Sequence, residues 1–285
     1  MTAAQLQRRA WRRSGPCRSD LGGLAGIVRS RTAIALFVFS VVLFLPSSSL
    51  GRTPSAKKVS RGGIRIPATG CQSDGQVGPL DAPKVHDKVV RLPSAIAARL
   101  AYYKAQNGLG ALAPRGWHCF ATYGSNGENL FVSEQPIQPA DLFSSDWKGF
   151  SGPAIEMAVS IGDTSGRFRV AEVVARVFPT HSAFVARVIA EGIEPPSSFP
   201  FSPYPRDHLT YRNKEVVEFE TPANAEGLGT HSHLQEGDSP ICGVAALFGP
   251  EPSLVQLSMR LAGDARDLSK YIVRQAEQEA KDESR

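Results

Sequence analysis

The segments ICGVAALF (Ile241 to Phe248), GPEP (Gly249 to Pro252) and LVQLSMRL (Leu254 to Leu261) decide how this chain folds. The first is almost wholly apolar and of strand length, the pattern of a central strand covered on both faces. The second is turn chemistry. The third alternates Val255, Leu257, Met259 and Leu261 against Gln256, Ser258 and Arg260, the period of a strand with one apolar face. Two adjoining strands joined by a short turn must run antiparallel. Asp264 to Ala280 follows as a helix, with Leu268, Ile272 and Gln275 in a row.

Working outward, the same logic finds further strands. His118 to Tyr123 and Asn129 to Ser133 flank Gly124-Ser125-Asn126-Gly127, so they read as a hairpin. Ala154 to Ile161 reads as a strand, as do Leu209 to Arg212 and Val216 to Glu220, with a tight turn at Asn213-Lys214. Arg167 to Phe178 places Phe168, Ala171, Val174 and Phe178 at helical spacing before Pro179, and His181 to Glu191 continues as a second helix stopped by Gly192. Pro93 to Gln106 reads as a helix with proline at its start and Asn107-Gly108 at its end. The proline cluster from Pro195 to Pro205 carries Phe199, Phe201 and Tyr204, which favour a loop that packs down over a free linker. Strands joined by hairpins, without regular strand–helix alternation, predict an α+β fold: a mostly antiparallel sheet with helices packed on one face.

The chain's front end is of another kind. Ala33 to Leu45 (AIALFVFSVVLFL) has Ser40 as its one polar member, seven arginines precede it, and Pro46-Ser47-Ser48-Ser49-Leu50-Gly51 follows. Basic region, apolar core and small-residue exit form the layout of a secretory signal. Thirteen helical residues rise about 20 Å, short for a bilayer core of about 30 Å. The expected organisation is therefore a signal peptide or short N-terminal anchor over 1–51, a basic linker over 52–70, a single α+β domain over 71–280 and a solvated tail over 281–285. Signals commonly total 15–30 residues, and a start at Val28 gives one of that size, so residues 1–27 are expected not to be translated. Cleavage gives a periplasmic or envelope protein. Retention of Ala33 to Leu45 gives a membrane-anchored one, with membrane contact through that segment alone.

The net charge of +5 does not indicate nucleic acid. Residues 1–51 carry +6, residues 52–68 carry +5, and residues 69–285 carry −6. The basic pI belongs to the leader and its tail, and the domain behind them lacks a cationic footprint.

Of four cysteines, Cys17 precedes the apolar core. An exported chain meets an oxidising compartment, so one disulfide is expected among the other three. Cys242 lies within the most apolar strand, where a buried thiol is the ordinary reading. That leaves Cys71 with Cys119, with Cys119–Cys242 as the other pairing considered.

Sites of chemistry are sparse. His231-Ser232-His233, with Glu236 and Asp238 nearby, is the densest cluster of metal-ligating types, and on a strand the two imidazoles face one side. A third ligand would come from His181 or His208. The bland account is two solvated histidines in a glycine-rich loop. His118-Cys119 places a base beside a nucleophile, but strand neighbours face opposite ways. Gly162 to Arg167 joins a strand to a helix, where backbone amides can hold an anion or simply make the turn. Trp117 and Tyr123 beside glycines suit either a carbohydrate or peptide surface or the core. No GxSxG, HExxH, paired CxxC or EF-hand loop is present. The sequence thus points to an exported envelope protein acting as a binding or accessory domain, without a cofactor, and leans away from an enzyme. The alternatives are a hydrolase or metal-dependent enzyme built on His231, His233 and Glu236, and a membrane-anchored structural protein.

Overall fold

A computed structural model describes residues 63–283. The expected signal, Ala33 to Leu45, and the start at Val28 lie outside the described residues. The described residues begin with four short strands, β1 (Ile64–Ile66), β2 (Ala68–Gly70), β3 (Gln72–Gly75) and β4 (Lys88–Val90), then a one-turn helix α1 (Ser94–Ala97). Strands β5 (Leu100–Lys104), β6 (Ala111–Pro114), β7 (His118–Gly124) and β8 (Gly127–Ser133) follow, then α2 (Pro139–Leu142) and β9 (Ala154–Ser160). Helices α3 (Arg167–Val177) and α4 (Ser182–Ala190) lead to β10 (His208–Tyr211), β11 (Val216–Thr221), β12 (Ile241–Phe248), β13 (Ser253–Arg260) and the terminal helix α5 (Ser269–Glu283).

One eight-stranded sheet organises the fold, in the order β10-β11-β12-β13-β9-β8-β7-β3. Every pairing in it is antiparallel except β3 with β7. The deciding segment behaves as its pattern requires: β12 and β13 pair from Cys242↔Met259 to Phe248↔Ser253. The hairpin β7–β8 closes at Gly124↔Gly127, where Gly127 has φ 139° and a side chain at that position would strike the carbonyl of Val159. A mixed three-stranded sheet, β2-β5-β6, and the pair β1-β4 complete the strands.

The two faces of the large sheet are covered differently. Val255, Leu257 and Met259 on β13, with Val244 and Ala246 on β12, pack with Leu268, Ile272, Val273, Ala276 and Ala280 of the α5 region. Each Val, Leu, Ile or Met side chain among these contributes about 1.5–3 kcal/mol on burial. The opposite face offers Val217, Phe219, Ala245, Leu247 and Leu254 to Val170, Val173, Val174 and Val177 of α3 and Phe184, Val185 and Val188 of α4. The helices therefore cover both faces, which corrects the one-face arrangement expected from sequence. The cause is the wholly apolar β12, whose alternate residues demand burial on each side.

Three further expectations are revised. Pro93 to Gln106 is helical for four residues, after which Leu100–Lys104 is a strand. Leu100, Ala101, Tyr102 and Tyr103 are all buried, so a strand that hides both faces replaces a helix that would expose one. Strands β1 and β2 lie within the stretch 52–70 expected as linker, and Ile66 is fully buried there. The terminal helix runs on to Glu283, into the expected tail. In the proline cluster Phe199 and Tyr204 are buried while Phe201 remains exposed, so the loop does pack down.

Cys71 and Cys119 are disulfide-bonded, with Cα atoms 5.4 Å apart. The bond fastens the N-terminal strands to β7. Cys242 is buried but is not free, since no cysteine among the described residues is. This corrects the buried thiol expected there. Among the described residues no helix is long and apolar enough to cross a membrane.

Candidate histidine cleft

The face that receives α3 is not apolar throughout. Beyond Leu254, β13 presents Gln256, Ser258 and Arg260, and β9 presents Glu156 directly opposite Ser258. Glu156 is 3 % exposed, Gln256 3 % and Ser258 1 %. These residues form the floor of a cleft of about 440 Å³. Arg169 and Phe168 from α3, His231 and His233 from the β11–β12 connection, and Asn129 from β8 supply its walls. The size lies within the range of small-molecule sites.

A buried carboxylate on a central strand needs partners. Glu156 finds them in one residue. Its Oε2 accepts the backbone N–H of His233 at 2.7 Å, and its Oε1 meets Nδ1 of the same histidine at 2.7 Å. An ionised carboxylate only accepts, so Nδ1 carries the proton and Nε2 is the ring nitrogen left over. The ring is stacked on Trp147 at 5.5 Å and meets the edge of Phe131 at 5.1 Å. Burial opposes charge on both members of the pair. Mutual attraction and the two hydrogen bonds outweigh it, holding Glu156 below its ordinary pKa and His233 above 6.5.

His231 is held in another way. Its Nδ1 lies 3.2 Å from Glu172 on α3 and its Nε2 3.1 Å from Glu226, and its ring lies 4.8 Å from that of Tyr204. Both nitrogens are occupied by carboxylates, so this imidazole bridges α3 to the 226–231 turn. Hydrogen bonding to Glu172 raises its pKa against the cost of burial, and further support comes from Glu226. Glu172 is pulled down to about 2: burial opposes this, and hydrogen bonding to His231 with the adjacent Arg169 prevails. Arg169 also donates to Gln256 Oε1 at 3.0 Å and to the carbonyl of His231 at 2.7 Å.

The histidine turn is fixed from both ends. Asp207 accepts from Thr221 and from the amide of Leu228, and the amide of Gly229 donates to Thr221 Oγ1. A Cβ on Gly229 would lie 2.7 Å from Ile241. On the far side, the amide of Phe150 donates to the carbonyl of His233 at 2.7 Å, and the amide of Gln235 to that of Phe150 at 3.0 Å. Arg260 clamps this seam. Its Nη1 donates to the carbonyls of Phe150, Ser151 and Gly152 and its Nη2 to that of Gln235.

The residues singled out from sequence fare unequally. His231 and His233 do reach one cleft, carried by a turn and not by a strand. Glu236 is exposed and does not line the cleft, nor do His181 and His208. Among the described residues no group of three or more His, Cys, Asp and Glu is placed to hold a metal ion. Cys119 is bonded to Cys71 and offers no thiolate beside His118. At Gly162 to Arg167 the turn account suffices: Thr164 Oγ1 accepts from Gly166, and Arg167 forks onto Glu191. Trp117 packs against the core. Sequence reading passed over Glu156, Arg169 and Gln256. The signal for Glu156 was present: a lone carboxylate within AIEMAVS, a strand otherwise fit for burial. Nothing in the sequence tied Trp147 to the site. Comparison with protein-family models, characterised proteins and solved structures finds no match.

Proposed function

We propose that this is an exported cell-envelope protein that binds a small polar ligand in the histidine cleft. The observation that carries the reading is the floor. Glu156, Gln256 and Ser258 are almost inaccessible, yet they face a 440 Å³ opening where the neighbouring part of the same sheet packs apolar residues under α3. Burying such groups is costly unless they are partnered, and their partners are the side chains and turn that wall the cleft. A floor rich in donors and acceptors, with Phe168 at its margin, suits a ligand with several hydrogen-bonding groups. The Cys71–Cys119 disulfide is compatible with export. The acidic domain offers nothing for nucleic acid, and membrane contact is assigned to the N-terminal segment alone.

The test is a thermal-shift screen of polar small molecules against the wild type and Ala158→Trp, a substitution that fills the cleft from its floor. A ligand present at a hundredfold over its Kd stabilises by about 2.7 kcal/mol, or about 5–10 °C in a domain of this size. Hits should lose that shift in the variant. Hits that shift both proteins equally reject the cleft as the binding site. Intact mass of protein recovered from the envelope tests export: a chain beginning near Leu50 or Arg52 supports it, and one retaining Ala33 to Leu45 makes the protein membrane-anchored.

A further inference from the structure

Binding alone does not account for the way His233 is held. A histidine that only donates to a ligand needs no buried carboxylate beneath it. Here Glu156 grips both the ring and the main chain of His233, which fixes the ring plane and the tautomer together. Trp147 and Phe131 fix the ring faces. The side chain remains 45 % exposed along the cleft, with Nε2 as the nitrogen not held by Glu156. A carboxylate-oriented imidazole with one nitrogen left for substrate is the arrangement of a general base.

We infer that His233 is the general base of a hydrolytic reaction on a carboxylic ester bound in the cleft, with Glu156 as its positioning residue. No serine or cysteine is hydrogen-bonded to His233 among the described residues, so the attacking oxygen is that of water. Nε2 takes a proton from water as the water oxygen forms its bond to the ester carbonyl carbon. The carbonyl π electrons move to oxygen, giving a tetrahedral oxyanion. Its collapse restores the carbonyl and breaks the bond to the alkoxide, which leaves with the proton returned from Nε2. The products are a carboxylic acid and an alcohol. The one guanidinium in the cleft wall, Arg169, acts electrostatically on both Glu156 and His233 and is the group that offsets the oxyanion. Its charge is shared with Glu172, whose carboxylate lies 2.7 Å away, so it suits the single charge that develops on an ester carbonyl better than the two already present on a phosphate monoester. The groups facing His233 are Glu156 from β9 and Arg169 from α3. Phe131 and Trp147 bring no charge.

This inference rests on the cleft reading, and the experiment separates the two. Full-length protein is assayed with 4-nitrophenyl acetate from pH 5 to 9, and its amide counterpart 4-nitroacetanilide is titrated by calorimetry. Saturable hydrolysis above an equimolar imidazole control is expected, rising with pH through an inflection above 6.5. His233→Gln should lower the rate about 100-fold or more. Glu156→Gln should move the inflection down towards 6.5, a shift that loss of packing alone would not produce. Circular dichroism confirms that the variants fold. Amide binding that Ala158→Trp abolishes, without His233-dependent turnover, overturns the catalytic inference and leaves the cleft reading standing. Neither binding nor turnover overturns the ester assignment, and the cleft reading then stands or falls on the ligand screen.

Discussion

Replacing Glu156 probes the centre of the site. In Glu156→Ala the backbone N–H of His233 loses an acceptor held at 2.7 Å, and Nδ1–H loses another. A buried donor left unsatisfied costs about 1–3 kcal/mol, and breaking a buried ion pair costs about 3–5 kcal/mol in general. His233 is half exposed, so its orphaned charge regains water and the total falls at the low end, about 3 kcal/mol. Glu156→Gln keeps the shape: its carbonyl oxygen can accept the His233 backbone N–H while its NH2 donates to Nδ1, which selects the Nε2–H tautomer, so it should cost only about 1–2 kcal/mol while His233 titrates closer to 6.5. The sign with pH follows from both partners. His233 has a raised pKa, so its contribution is complete below 6.5 and fades as pH rises through the raised value. Glu156 has a lowered pKa, so its contribution is complete above 4.5 and fades as pH falls through the lowered value. The pair therefore stabilises most between pH 4.5 and 6.5. Urea unfolding at pH 5.5, followed by circular dichroism, measures the loss, and nitrogen-detected imidazole spectra measure the titration. A Glu156→Ala variant within about 1 kcal/mol of wild type, well below the usual cost of breaking a buried pair, would refute this reasoning. So would a Glu156→Gln variant whose His233 titrates unchanged.

Other perturbations have equally definite outcomes. Glu172, held down to about 2, stabilises the fold above 4.5 and loses that contribution as pH falls towards 2. Glu172→Gln should flatten the stability curve over that interval, measured by urea unfolding at several pH values. Arg260→Met removes the donor shared by four backbone carbonyls. A loss of about 2–4 kcal/mol and faster hydrogen exchange at the Phe150 amide are expected. Replacing Cys71 and Cys119 by alanine opens a 48-residue separation. Chain entropy puts the loss at roughly 4 kcal/mol, measured by thermal or urea unfolding.

The sequence was most legible where one physical demand dominated. ICGVAALF has no polar side to show to water, and it takes its place inside the sheet with both faces covered. Gly-Ser-Asn-Gly turns the β7–β8 hairpin as its residues require. Reading failed where tertiary context reversed the meaning of a pattern. The helical spacing at Leu100 and Tyr103 is equally the spacing of a buried strand when every residue between is hidden. The alternation of Gln256, Ser258 and Arg260 reads as a solvent-facing row, yet all three are buried. Polar residues between apolar ones report alternation, but they do not say whether water or another polar layer lies opposite. For the same reason His231 and His233 were found and their carboxylate partners were not. Glu226 lies five residues from His231, but Glu156 on β9 and Glu172 on α3 lie roughly sixty to eighty residues from their histidines, and only the fold brings them close.

The join between β9 and β13 has a kinetic consequence. Strands β7, β8 and β9 form one antiparallel meander, and β10 to β13 form another. Each can assemble from neighbours, but β9 and β13 pair residues roughly a hundred positions apart. Such a non-local closure is slow relative to hairpin formation. Glu156 lies on one side of that join and Ser258 on the other, so a chain with both meanders formed but not yet joined still has its carboxylate in water and no floor for a ligand. The last step of sheet assembly is then the step that desolvates Glu156, and it is repaid only when His233 arrives. A ligand seated on that floor would slow the parting of the two halves, acting as a brake on unfolding.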